Sequence, residues 1–190
     1  MDTHRHFIIY KPYGFLSQFI TNQKKVKHKM LGELHDFPDK TMAVGRLDAK
    51  SEGLLLLTTD GKVSAFITTK GKVEKEYYVQ VDGSITSEAI EQLKRGVEIG
   101  FDGKKYMTKP CKVNMISEPD FPERSKKIRD ARHGPTPWIS VTLTEGKFRQ
   151  VRKMTSAVGF ATLRLVRVRV GNILLNDMQS GDVIEMDALI

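Results

Sequence analysis

Four consecutive leucines, Leu54 to Leu57, lie between Gly53 and the turn signal Thr58-Thr59-Asp60-Gly61. An apolar run this short, bordered on both sides by turn residues, reads as a fully buried strand rather than a short helix. The stretch leading into it is Gly45-Arg46-Leu47-Asp48-Ala49-Lys50-Ser51-Glu52-Gly53. Asp48 is therefore expected in a loop whose far end is fixed by the core. Charged and small residues dominate Arg46 to Lys50, which suits a cleft wall better than a packed interior. An isolated aspartate in such a place is ordinarily part of a polar turn, so its meaning rests on the company it keeps elsewhere in the chain.

The 190 residues can hold one domain with a good core, or two closely packed halves, and we read 1–190 as a single domain. Hydrophobic residues make up 39% and charged ones 28%, an ordinary globular composition. No apolar run approaches the ~20 residues that span a bilayer, and the first residues lack the apolar stretch of a signal peptide. These features predict no membrane partner. Cys111 is the only cysteine, which excludes an internal disulfide and a thiolate zinc site and points to a cytoplasmic setting. It reads as a packed residue rather than a nucleophile. The five histidines have no ligand-like spacing, so no metal is expected.

The formal net charge is +8, which points to a polyanionic partner because neutralised phosphates release counterions. Placement matters more than the total. Between Val141 and Val170 stand Lys147, Arg149, Arg152, Lys153, Arg164, Arg167 and Arg169 against one acid, Glu145.

Along the chain, Phe7 to Tyr10 reads as a strand that Pro12 and Gly14 end, presenting Lys11 at its tip. Asn22 to Lys29 reads as a mobile polar loop, Met30 to Leu34 as a short helix, and Met42 to Val44 as the way back into the Asp48 stretch. Gly61 to Thr69 fits a helix with Val63, Phe66 and Ile67 on its apolar side. Lys75 to Val81 is a strand on which Tyr77 shares a face with Val79 and Val81, making it the inward tyrosine. Thr86 to Arg95 is an amphipathic helix stopped by Gly96. Short strands come next at Val97 to Gly100, Lys105 to Thr108 and Cys111 to Ile116, with a hairpin turn at Asp102-Gly103.

The stretch 118–137 holds four prolines and five basic residues and reads as a surface insertion, disordered or clamped on a partner such as RNA. Trp138 to Leu143 is a strand with Trp138 in the core. A helix is predicted from about Lys147 to Val158, with Phe148, Val151, Thr155 and Val158 packed and Arg149, Arg152, Lys153 and Ser156 as a basic stripe. On the strand Leu163 to Val170, the valines at 166, 168 and 170 face the core while Leu165, Arg167 and Arg169 share the opposite face. Interspersed helices and strands, many joined by hairpin-length turns, predict an α+β fold with a mixed, mainly antiparallel sheet.

Four segments then occur in order: Lys11-Pro12-Tyr13-Gly14, Gly45-Arg46-Leu47-Asp48 through Leu55, Lys75-Glu76-Tyr77-Tyr78-Val79, and Glu145-Gly146-Lys147-Phe148-Arg149-Gln150-Val151-Arg152-Lys153-Met154. With these the chain resembles the RNA pseudouridine synthases, in the RsuA-like branch, over nearly its whole length. Many members of that branch begin with an S4-like RNA-binding domain, whereas here the first catalytic strand starts at Phe7. The resemblance implies the pseudouridine synthase fold, two abutting sheet halves flanked by helices around a central catalytic cleft.

It implies isomerisation of a uridine in large-subunit (23S) ribosomal RNA with no cofactor, and we expect a monomer. Asp48 matches the catalytic aspartate, which either adds to C1′ or abstracts a ribose proton. Arg152 matches the arginine that keeps it ionised. Tyr77 matches the tyrosine that stacks on the base and takes the C5 proton. Leu165 matches the residue lining the base pocket, and Arg46 the wedge that fills the stack a flipped base leaves behind. Lys11, Arg149, Lys153, Arg167 and Arg169 are assigned to phosphate contact. Two other readings compete. A hydrolase would pair Asp48 with Glu52 or Glu145, and a plain RNA-binding module would use Asp48 only structurally.

Overall fold

The computed structural model describes residues 3–21, 28–69, 71–129 and 131–190. In chain order the strands are β1 (His6–Lys11), β2 (Met42–Val44), β3 (Glu52–Thr58), β4 (Lys75–Val81), β5 (Glu98–Phe101), β6 (Lys104–Met107), β7 (Lys112–Ile116), β8 (Trp138–Leu143), β9 (Thr162–Val170), β10 (Ile173–Leu174) and β11 (Val183–Met186). The α-helices are α1 (Gly61–Thr68), α2 (Ser87–Arg95) and α3 (Gln150–Ala157), with 3-10 turns at Leu31–Glu33 and Ala131–His133.

Leu54 to Leu57 are all buried, because β3 lies inside a sheet covered on both sides. Leu54 and Leu56 pack with Ile8, Tyr10, Ile67 and Val166, while Leu55 and Leu57 pack with Phe7, Ile9, Leu31 and Leu47. The sheet order is β11-β1-β3-β9-β4-β8-β7, with β2 added to β3 and β10 to β9. Among the described residues every pairing in this sheet is antiparallel but one: β3 and β9 run parallel over Glu52–Val166 and Gly53–Arg167. That short seam joins two halves, one built on β1 and β3, the other on β4, β8 and β9. The α+β fold with a mainly antiparallel sheet in two abutting halves is thus as expected.

Gly53 makes the seam possible. Its φ is +105°, and a Cβ there would lie 2.3 Å from the Arg167 carbonyl oxygen and 2.8 Å from its nitrogen. Beside it, Glu52 accepts two hydrogen bonds from Arg164 (3.0 and 2.9 Å), a buried charge pair that also spans the halves. The second half carries its own core, in which Val79, Val81, Leu93, Ile139, Val141, Val151, Met154 and Leu165 meet.

Some expectations need correction. The helix predicted from Lys147 begins at Gln150, because Arg149 takes a left-handed conformation (φ +52°) that breaks helical continuity. Phe148 consequently points outward, 71% exposed, and Met154 occupies the packed face with Val151 and Thr155. Phe66 of α1 is likewise exposed, and Ile67 alone of that helix is buried. The insertion is neither loose nor free along its first part. Phe121 packs between Tyr78 and Trp138, Arg164 donates to the Pro122 carbonyl (2.7 Å), and Arg124 lies over the Tyr13 ring while donating to the Leu163 carbonyl (3.0 Å). The loop expected at Asn22 to Lys29 falls mostly outside the described residues.

Candidate active site

Between the halves opens a cleft of about 1180 Å³. Its size exceeds the ~300–1,000 Å³ usual for small-molecule pockets, which suits part of a polymer. Among the described residues seven basic side chains line it (Arg46, Lys75, Lys109, Lys147, Arg149, Arg152 and Arg167) against two acids, Asp48 and Glu145. The turn between β2 and β3 delivers Asp48 to the cleft, held because Leu47 is buried behind it and the Leu47 backbone exchanges hydrogen bonds with the Ser17 hydroxyl (2.8 and 3.0 Å).

Both Asp48 oxygens are engaged. Oδ1 accepts from the Ser51 hydroxyl at 2.5 Å, and Oδ2 accepts from Arg149 Nη1 at 2.6 Å and Arg152 Nε at 3.1 Å. Arg152 Nη2 also donates to Ser51 Oγ at 3.1 Å, closing a ring of contacts. Burial alone would push the carboxyl pKa up. The charge of Arg152, the Ser51 hydroxyl and the charge of Arg149 outweigh it and hold Asp48 below the ordinary aspartate range. A carboxylate kept ionised in a partly buried, cationic setting is a candidate for chemistry rather than packing.

Tyr77, from β4, lines the same cleft and packs against the cores of both halves. The β4–β9 register shifts between Glu76 and Tyr77, an irregularity of the kind that re-aims side chains beside active sites. Leu165 from β9 supplies apolar lining, and Arg46 stands exposed at the rim. The cleft thus brings together Asp48, Tyr77, Arg152, Arg46 and Leu165, drawn from stretches far apart in the chain.

Of the residues assigned to phosphate, Lys11, Arg167 and Arg169 are held in contacts within the protein. Lys11 is 0% exposed and its ammonium donates to the Pro12 and Phe15 carbonyls, both at 2.8 Å, so it braces the turn beneath the Asp48 loop instead of meeting a phosphate. Burial lowers its pKa to about 7 although Asp48 and Glu52 pull the other way. Arg167 is buried and donates to the Leu54 carbonyl (2.8 Å), stitching the seam from inside the cleft. Arg169 lies outside the cleft lining and pairs with Glu76 (3.3 Å) and Glu74 (3.7 Å). Arg149 is bonded to Asp48, and the Lys153 ammonium sits 5.1 Å from the Phe148 ring centroid and 5.7 Å from that of Phe101.

Ser51 and Lys75 are site residues that sequence reasoning missed. Ser51, three residues after Asp48 on a turn, had a readable signal, and so did Lys75, two before Tyr77 on one strand face. The carboxylates a hydrolase would need are occupied. Glu52 is locked to Arg164, and Glu145 accepts from the Tyr106 hydroxyl, the Lys109 amide (2.8 Å) and Gln150 Nε2 (2.9 Å). Among the described residues no group of three or more His, Cys, Asp or Glu could hold a metal ion, and no helix is long and apolar enough to cross a membrane.

A basic cleft between two sheet halves, closed around an ionised aspartate, has the makings of a site for chemistry on an anionic polymer. The chain belongs to the RNA pseudouridylate synthase family, whose profile matches residues 5–157. More particularly, it is similar to enzymes that act in the large ribosomal subunit. Ribosomal large subunit pseudouridine synthase E of Vibrio parahaemolyticus is 44% identical over 182 residues, covering 95% of this chain and 73% of the relative. The protein of that name from Xanthomonas axonopodis pv. citri is 41% identical, covering 87% and 85%. A solved pseudouridylate synthase superposes with a TM-score of 0.79 over 98% of this chain and 71% of its own, at 24% identity, a likeness of fold.

Proposed function

We propose that this protein converts one uridine of the large-subunit (23S) ribosomal RNA to pseudouridine, acting as a cytoplasmic monomer with Asp48 as the catalytic carboxylate. The observation that carries the reading is the ionised Asp48 at the bottom of a basic cleft, fixed by Ser51, Arg149 and Arg152 and sharing that cleft with Tyr77. The similarity to large-subunit synthases supplies the substrate class.

The target base must leave its stack, at a cost of a few kcal/mol, to reach such a cleft. Arg46 at the rim fills the gap, and Leu165 provides an apolar wall for the extruded uracil. The C1′–N1 bond then breaks with the help of the Asp48 carboxylate, which needs no cofactor because the reaction is an isomerisation. The base turns while held against Tyr77, and C5 bonds to C1′. The C5 proton leaves to a base, a role we give to Tyr77 because it lines the cleft with Asp48, and N1 gains a proton, so atoms and charge balance. Arg152 keeps Asp48 ionised until it reacts and favours the return of the free carboxylate afterwards.

The test is pseudouridine mapping by carbodiimide modification and primer extension on ribosomal RNA from cells lacking the gene. One large-subunit site should be missing and should return with the parent gene but not with Asp48→Asn. Loss of no site, or of a transfer RNA site, would overturn the substrate assignment.

A further inference from the structure

We propose that the Phe148 ring is a stacking platform for a nucleotide adjacent to the target uridine, whose phosphates are taken by Lys147 and Lys153; this rests on the RNA substrate proposed above. A solitary exposed phenyl is ordinary on a protein surface. This one is held in place. The Lys147 amide donates to Gln150 Oε1 (3.0 Å), the Gln150 amide donates back to the Lys147 carbonyl (3.1 Å), and Gln150 Nε2 is anchored on Glu145 (2.9 Å). The next residue, Arg149, sits in a left-handed conformation with its guanidinium on Asp48. The ring therefore stands on a rigid turn at the cleft lip, one residue from the group that grips the carboxylate.

Its surroundings are cationic and aromatic. The Lys147 ammonium lies 4.9 Å from the Tyr106 ring centroid and 5.7 Å from that of Phe101, and Lys153 bridges Phe101 and Phe148. Aromatic faces interleaved with lysines are the arrangement by which proteins hold unpaired nucleotides: bases stack and phosphates find ammonium groups. With 71% of Phe148 open to solvent, a base has room to lie on it.

The experiment compares Phe148→Leu, which keeps apolar bulk but loses the π face, with Phe148→Trp, which keeps the face. With transcribed large-subunit RNA, Phe148→Leu should raise KM about tenfold with a much smaller change in kcat, and Phe148→Trp should stay near the parent. A short single-stranded oligoribonucleotide with 2-aminopurine beside its one uridine should lose fluorescence on binding the parent and the Trp variant, and far less with Leu. Lys153→Gln should flatten the salt dependence of binding by roughly one charge. Equal behaviour of Leu and parent, equal losses in Leu and Trp, or an effect confined to kcat would overturn the platform. So would a change in self-association on sedimentation without a change in RNA affinity, which marks a protein contact. If the parent makes no pseudouridine on the transcript, the proposed function falls, and the fluorescence result alone decides the stacking.

Discussion

At the scale of single residues, the carboxylate of Asp48 is tuned by neighbours that can be removed one at a time. Its pKa lies below the ordinary range although burial opposes this, so the ionised form persists in mild acid. The acid limb of the kcat/KM profile should therefore fall below about pH 4 in the parent. In Arg152→Gln the largest opposing charge is gone and the pKa rises, so that limb should move to higher pH; a limb that stays put would show that another group sets it. Arg152→Ala should lower turnover by about 100-fold or more while RNA affinity changes only a few-fold. Equal losses in both would make Arg152 a phosphate grip. Asp48, Tyr77 and Arg152 were legible as a set from the ordered motifs, whereas the pairing of Arg149 with Asp48 was not. The predicted stripe set Arg149 beside Arg152 but gave it to phosphate, and the left-handed conformation that lays it on Asp48 has no signal in helical periodicity.

Among elements, the seam between β3 and β9 is the most demanding. Gly53→Ala places a Cβ within 2.3 Å of the Arg167 carbonyl and strains a φ of +105°, so it should cost about 3 kcal/mol or more, lowering Tm by roughly 10 °C. Gly61→Ala, in the first turn of α1 with open space around it, should leave Tm unchanged or slightly higher. Calorimetry on the two variants checks both, and equal effects would mean that the seam tolerates separation. Strands were read well because their signals are local: the leucine run, the alternation at Lys75 to Val81, the Asp102-Gly103 turn. The parallel pairing itself was not readable, since it joins residues more than a hundred positions apart. The insertion misled for a related reason. Prolines and charges describe a loop, but Phe121 and Arg124 are ordered by rings and carbonyls supplied from elsewhere.

For the whole molecule, Lys11 links protonation to folding. It is buried with a pKa near 7, while in the unfolded chain it titrates near 10.5. Between those values the unfolded state binds the extra proton, so this group makes the fold more stable as pH rises from about 7 to about 10.5. Lys11→Met should flatten that rise in the urea midpoint, and an unchanged slope would mean that the ammonium stays charged in place. The cleft adds a last point. Asp48 and Ser51 belong to one half, Arg149 and Arg152 to the other, and three hydrogen bonds cross between them. Each half has its own core cluster, joined through β9, whose Val166 packs in the first and Leu165 in the second. A slight prying apart at the cleft would thus silence the chemistry while leaving both largely folded. Titrated with denaturant, catalysis should therefore vanish well before the circular-dichroism signal of the strands does.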